Sequence, residues 1–158
     1  MVVDVEYDPS GRGLEHRLVT RDPEIRVLVA DPNLQLQERY KEVFGLIVRV
    51  ENMDFFQTYG KAVENLRFYS AYIIDPVLPA TENYKSPYGM DLASRIKSKE
   101  NDATNIWIVG EDENELDAAK VLGFTRLYLK KIQAANGHRT FDQFLSDMAA
   151  FLRGLKGN

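Results

Sequence analysis

Short apolar runs rich in valine and isoleucine alternate along this chain with longer stretches in which apolar residues recur at helical spacing. The runs lie at 25–30, 46–50, 71–74, 106–109 and 126–129. Short apolar runs of this kind are typical of buried strands, and strands that alternate with helices are typical of a parallel sheet. The pattern therefore predicts five β-α units.

Helix boundaries can be predicted at several of these units. The first helix is expected over 34–44, where Gly45 ends it. The second helix is expected to carry an apolar face of Phe55, Tyr59, Val63 and Leu66. The last helix should begin at Thr140, a good N-cap, and its apolar stripe is the clearest in the chain: Phe141, Phe144, Leu145, Met148, Leu152 and Leu155.

Right-handed crossovers between parallel strands place helices on both faces of the sheet, and 2-1-3-4-5 is a common order for five strands. We therefore expect a flavodoxin-like, doubly wound α/β domain over 25–158. Residues 1–24 are polar and contain a turn signal at 11–13, so they are interpreted as an N-terminal extension.

Composition narrows the class of protein without naming its function. The chain has 158 residues, a formal net charge of −4 and no cysteine. A broad nucleic-acid footprint is not expected from this charge, and disulfides and thiolate chemistry are excluded. No apolar stretch approaches the roughly 18 residues that cross a bilayer, and the N-terminus does not read as a secretory signal. We therefore expect a cytoplasmic protein that binds neither membranes nor nucleic acid through this domain.

Charged residues follow three of the predicted strands. Asp31 follows the first strand, Asp75 the third and Lys131 the fifth, while Gly110 ends the fourth. The carboxyl ends of parallel strands lie at one edge of the sheet, where sites gather in this class of fold. Two carboxylates and an ammonium group are suited to a hard cation and a phosphoryl group. Each Asp also precedes a proline, a common turn pair, so a purely structural role stays open.

These segments together resemble the receiver domains of bacterial response regulators, the CheY-like family. The resemblance runs from Ile25 to the last helix and rests on VLVADPN, IIDPVLP, IWIVG and LDAAKVLGFTRLYLKK. It implies that Asp75 is the phospho-acceptor, that Asp31 is one of two adjacent metal-site acids and that Lys131 contacts the phosphoryl group. It also implies that Tyr128 is the aromatic residue of the switch. For Lys131, a salt bridge to Asp75 that needs no phosphate is an alternative role.

Two departures from the family pattern weaken the expected site. Pro32 stands where the family has its second acid, so Mg²⁺ binding at Asp31 and Asp75 should be weak. Gly110 stands where the family has Ser or Thr, so the hydroxyl that couples phosphorylation to the switch is missing. Apart from this weak Mg²⁺ site, no cofactor is expected.

Three functions remain, of which the first is favoured. It is an atypical receiver, or pseudo-receiver, that acts mainly by docking to proteins and is not an enzyme. The second is a working receiver phosphorylated on Asp75 by a histidine kinase. The third is a small α/β enzyme or ligand-binding protein, which is less favoured because no nucleophile–base pair or phosphate loop is visible.

Partner surfaces can also be predicted. The loop after the third strand is long and contains Tyr84 and Tyr88, which would be anchors for a partner if exposed. The resemblance implies a histidine kinase or a downstream effector as the partner. It also implies homodimer formation through the exposed edge of the last helix.

Overall fold

The computed structural model describes residues 2–7, 16–21, 24–82, 88–133 and 137–157. The strands are β1 (Val2–Tyr7), β2 (His16–Arg21), β3 (Val27–Ala30), β4 (Met53–Phe56), β5 (Ala71–Ile74), β6 (Ile106–Gly110) and β7 (Arg126–Leu129). The helices are α1 (Leu34–Phe44), α2 (Tyr59–Glu64), α3 (Gly89–Glu100), α4 (Glu113–Val121) and α5 (Phe141–Lys156). Among the helices of the described ranges, none has the length and apolar character that crossing a bilayer requires.

Strands β3 to β7 form one parallel sheet in the order β4-β3-β5-β6-β7. Numbered within the domain this is 2-1-3-4-5, so the predicted doubly wound fold is confirmed. Strands β3 and β5 are level at their carboxyl ends, because Ala30 pairs with Ile74. The register therefore brings Asp31 and Asp75, the next residues along each strand, to the same edge of the sheet.

Helices cover both faces of this sheet and enclose two cores. Side chains alternate between the faces along each strand, as the two-residue period of a strand requires. Val29 and Ile73 pack with α1 and α5, whereas Ala30 and Ile74 pack with α2, α3 and α4. The first core is rich in aromatic side chains: Tyr40, Phe44, Trp107, Tyr128 and Phe144.

The ends of α1 and α5 agree with their sequence signals. Helix α1 spans 34–44 and has Gly45 as its C-cap, as predicted. A β-carbon on Gly45 would lie 2.3 Å from the carbonyl oxygen of Lys41, so the turn requires glycine there. Helix α5 begins after Thr140, whose hydroxyl accepts from the backbone N–H of Gln143 in a reciprocal capping box.

The second strand lies elsewhere than the sequence predicts. Residues 46–50 are not a strand; the edge strand is β4, Met53–Phe56. Two backbone donors of the predicted strand are used by the turn that closes α1, because the N–H groups of Ile47 and Val48 both donate to the carbonyl of Phe44. Leu46 is left 86% exposed.

The second helix is correspondingly shorter than predicted. Phe55 lies in β4 and not on a helix face, and α2 contains only the six residues Tyr59–Glu64. Thr58 begins this helix, since its side chain accepts a hydrogen bond from the N–H of Lys61. The apolar spacing alone does not show where the strand ends and the helix begins.

Two paired strands lie in the predicted N-terminal extension. Strands β1 and β2 pair antiparallel from Val2 with Arg21 to Tyr7 with His16, in a sheet of their own. The predicted turn at 11–13 lies outside the described residues. The boundary between an extension and a domain at residues 24 and 25 stays a prediction.

Candidate functional site

Three buried charged groups meet at the carboxyl edge of the sheet. The Lys130 Nζ atom lies 2.7 Å from Asp31 Oδ2 and 2.5 Å from Asp75 Oδ2. The side chains of Lys130, Asp31 and Asp75 are only 7%, 2% and 6% exposed. We refer to this Asp31–Lys130–Asp75 cluster as the triad.

The remaining carboxylate oxygens of the triad are also hydrogen-bonded. Asp31 Oδ1 accepts from the backbone N–H of Asn33, and Asp75 Oδ1 accepts from that of Val77, both at 2.8 Å. These are turns in which an aspartate caps the backbone two residues further on. All four oxygens of the two carboxylates therefore have a partner within the chain.

The lysine of the triad is Lys130, so the predicted salt bridge between Lys131 and Asp75 is wrong. Lys130 follows β7 directly, and its N–H still donates to the carbonyl of Gly110. It therefore continues the alternation of the strand and points to the face that Tyr128 occupies. Lys131 is one residue further on and is exposed. A phosphoryl contact by Lys131 stays a prediction that this placement does not favour.

Burial and the opposite charges of the triad compete in setting its pKa values. Burial raises the pKa of Asp31 to about 6, against the opposing effect of Lys130 and with a further increase from the charge of Asp75. Burial also disfavours the charged form of Lys130, but the two carboxylates outweigh it, so the pKa of Lys130 lies above its usual value. The lysine therefore stays an ammonium group near neutral pH.

The end of β6 is closed by a proline ring. A β-carbon on Gly110 would lie 2.8 Å from Pro76 Cγ and 3.2 Å from Glu115 Oε1. Pro76, the neighbour of Asp75, thus fills the space beside Gly110, where the resemblance implies a hydroxyl side chain. Burial raises the pKa of Glu115, and the charge of Asp75 contributes to the increase.

The residues present do not fit a Mg²⁺ ion. Magnesium needs several oxygen ligands in a nearly octahedral arrangement. Pro32 offers no side-chain oxygen, and the Oδ2 atoms of Asp31 and Asp75 both bind the Lys130 ammonium. Within the ranges that the structure describes, no three His, Cys, Asp or Glu side chains form a group able to hold a metal ion.

Tyr128, the predicted switch residue, is fixed inside the first core. It is 1% exposed, and its ring stacks on Trp107 with 5.7 Å between centroids. Its hydroxyl donates to Asp147 at 2.8 Å and accepts from Arg139 at 3.1 Å. Burial and the bond to Asp147 raise the pKa of Tyr128 to about 12.

The spacing around Tyr128 changes once the lysine is reassigned. Tyr128 lies three residues before Lys131, the lysine that the resemblance assigns to the phosphoryl group. The same spacing counted back from Lys130 ends at Leu127, which packs in the second core. A switch role for Tyr128 stays a prediction, and the contacts of its hydroxyl tie it to α5.

The predicted partner loop is described only in part. Tyr84 lies outside the described residues. Tyr88 is half-buried, its ring centroid is 5.4 Å from that of Tyr59, and its N–H donates to the carbonyl of Leu78. Tyr88 therefore packs against α2, which leaves only part of its ring for a partner.

The apolar side chains of the last helix face the first core. Its large apolar side chains belong to the first core or pack against it, and none is among the exposed ones. Dimer formation through α5 stays a prediction.

Tyr40 is a buried residue that sequence reasoning does not connect with the triad. Its place in the predicted first helix, with apolar neighbours at helical spacing, indicates only a core position. It is fully buried, and no hydrogen-bond partner for its hydroxyl is found among the described residues. Its pKa is raised first by burial and then by the charges of Asp31 and Asp75, so it borders the triad electrostatically.

The fold is similar to that of solved receiver domains. The BeF3-activated DrrB receiver domain is 14% identical with a TM-score of 0.56, over 82% of this chain and 97% of that one. The CheY-like response regulator receiver domain from Methylobacillus flagellatus is 17% identical with a TM-score of 0.56, over 83% and 98%. The signal receiver domain of a putative Luxo repressor protein from Vibrio parahaemolyticus is 19% identical with a TM-score of 0.55, over 84% and 93%.

Comparison of the sequence with family models and with curated proteins finds no match. The structural similarity covers the five-stranded sheet and nearly the whole length of the receiver domains compared. The chain therefore has the CheY-like fold of response regulator receiver domains.

Proposed function

We propose that this chain is an atypical receiver domain, or pseudo-receiver, of two-component-type signalling. It acts by docking to another protein in one conformation and is not phosphorylated on Asp75. The observation that supports this most is the triad, in which Lys130 neutralises the acceptor-position carboxylate and holds it in the protein interior.

Phosphorylation of an aspartate requires a free carboxylate oxygen as the nucleophile and cationic groups that stabilise the transferred phosphoryl group. Asp75 is 6% exposed, Oδ2 is bound to Lys130 and Oδ1 to the Val77 N–H. Attack through Oδ2 would require Lys130 to leave Asp75, and separating a buried ion pair is costly. These contacts support the proposal that Asp75 is not phosphorylated.

Exposed aliphatic side chains lie at the same edge of the sheet as the triad and support docking there. Leu34, Val77 and Ile132 are 60%, 40% and 78% exposed. They follow β3, β5 and β7 respectively, so all three lie at the carboxyl edge; Leu34 is the first residue of α1, and Val77 and Ile132 lie on loops. Exposed apolar groups around a region whose charges are already paired are suited to a protein partner. A histidine kinase or a downstream effector in the cytoplasm is the partner that this proposal expects.

Intact-mass measurement after incubation with acetyl phosphate and Mg²⁺ tests the proposal. Wild type and Asp75→Asn are compared, and a receiver domain with both metal-site acids shows that the donor is active. We expect no phosphoryl adduct on either form of this chain. A single adduct on wild type that is missing from Asp75→Asn would show a working receiver and overturn the proposal.

A further inference from the structure

We infer that the Lys130 ammonium is the built-in cation of this site, occupying the position between Asp31 and Asp75 that a divalent ion would otherwise take. The domain then needs no metal ion to neutralise its two buried carboxylates. The inference concerns the same site as the proposed function. It rests on that proposal, which makes Asp75 the central residue of the site.

The distances show why lysine and metal exclude each other. The Nζ atom is 2.7 Å and 2.5 Å from one oxygen of each carboxylate, which is the range of charge-assisted hydrogen bonds. A magnesium ion bridging the same two oxygens would need them at about 2.0–2.1 Å. One position between two carboxylates cannot hold both cations.

The surroundings of the triad favour the lysine. Its ammonium group is attached to the chain directly after β7, so it acts at a high effective concentration that no free ion shares. The Pro76 ring packs against Gly110 beside Asp75, and Asn33 and Val77 already bind the outer oxygens. These contacts hold Asp31 and Asp75 with their Oδ2 atoms towards the Lys130 ammonium.

The inference predicts that removal of the lysine alone exposes a divalent-cation site. Two buried carboxylates left without Lys130 would carry uncompensated charge, and a bound divalent ion would neutralise it. The adjacent Lys131 supplies a matched control, because it has the same side chain but is exposed and outside the triad.

Titration with Mn²⁺, followed by the paramagnetic resonance signal of the free ion, measures this directly. The samples are wild type, Lys130→Gln, Lys131→Gln and the double variant Lys130→Gln with Asp31→Asn. We expect Lys130→Gln to bind one Mn²⁺ at least about tenfold more tightly than wild type, equivalent to about 1.4 kcal/mol. Lys131→Gln should match wild type, and the double variant should lose the gain.

Two results would overturn the inference. One is binding of Mn²⁺ to wild type as tight as to Lys130→Gln; the other is a folded Lys130→Gln that gains no affinity. If Lys130→Gln does not fold, the melting temperature of wild type is measured with increasing Mg²⁺ instead. A ligand that binds the folded protein raises this temperature. No change with added Mg²⁺ supports the inference, and a concentration-dependent rise contradicts it.

These measurements contain no phosphodonor, so they are separate from the test of the proposed function. An adduct on Asp75 in the mass measurement would overturn the docking proposal even if Lys130 excludes metal. Metal binding by wild type without an adduct would overturn only the inference.

Discussion

Two regions of the molecule use the same pairing of aspartate with a cation, one at the carboxyl edge of the sheet and one beside β4. In the triad, the three side chains are at most 7% exposed. Beside β4, Arg67 lies 3.0 Å from Asp54 Oδ2, but their side chains are 52% and 28% exposed. The hydroxyl of Tyr69 donates to the same Asp54 oxygen at 2.7 Å.

The two regions contain the same kinds of charged group but differ in how far water reaches them. Water screens the Asp54–Arg67 pair and solvates either partner when the other is removed, so such pairs contribute little to stability. A triad member that loses its partner stays charged in the interior, where it has no water to replace the interaction. The triad should therefore control stability and reactivity, and the pair beside β4 should control neither.

The largest effect is expected from Lys130→Met, which removes the ammonium and keeps most of the side-chain volume. We expect a loss of about 3–5 kcal/mol in the free energy of unfolding, because two buried carboxylates lose their counter-charge. Lys131→Met should change it by no more than about 0.5 kcal/mol. Urea unfolding followed by the fluorescence of Trp107, the only tryptophan, measures both.

Equal effects of the two substitutions would contradict the assignment of Lys130 to the triad. A folded Lys130→Met with wild-type stability would show that the carboxylates are not held by this lysine. Circular dichroism on both variants separates loss of stability from loss of fold.

A pH dependence should distinguish the triad from the pair beside β4. The pKa of Asp31 is raised to about 6 from 3.8, so the folded protein keeps a proton that the unfolded chain has lost between these values. The contribution of Asp31 to the free energy of unfolding should therefore fall by up to about 3 kcal/mol as pH rises from about 4 to about 6.

The control for this pH dependence is Asp31→Asn, which cannot titrate. The difference in unfolding free energy between wild type and Asp31→Asn should change across this window and be constant above it. A difference that stays the same from pH 4 to pH 7 would contradict a raised pKa for Asp31.

The smallest effect is expected from Arg67→Met. It removes the cation beside Asp54 but leaves the bond from Tyr69 to Asp54 in place. The urea midpoint should change little at low salt, and the change should disappear at high salt because the pair is screened. A large, salt-independent loss would show that this exposed pair is as important as the buried triad.

Much of the fold follows from the sequence because burial leaves a clear pattern there. The runs at 71–74 and 126–129 are the strands β5 and β7, and the first helix has the predicted bounds. The second strand was misplaced because 46–50 is as apolar as a strand, while its backbone donors complete the turn after α1. Periodicity does not report where backbone hydrogen bonds go.

The site was predicted at the level of strand ends but not at the level of side-chain direction. Asp31 and Asp75 are correctly placed together, since both follow level strands. The choice between Lys130 and Lys131 depends on alternation along β7: Tyr128 faces the first core, so Lys130 shares its direction and Lys131 does not. The packing of Pro76 against Gly110 depends on the three-dimensional path of a loop, and sequence spacing carries no signal for it.

The most direct test of the account is to observe the Lys130 ammonium group itself by proton–nitrogen NMR. A buried ammonium bonded to two carboxylates exchanges its protons slowly with water, whereas an exposed one exchanges quickly. We predict one persistent side-chain ammonium signal at neutral pH that is absent from Lys130→Gln, present in Lys131→Gln and unchanged by Mg²⁺. Disappearance of this signal on addition of Mg²⁺, or its persistence in Lys130→Gln, would contradict the account.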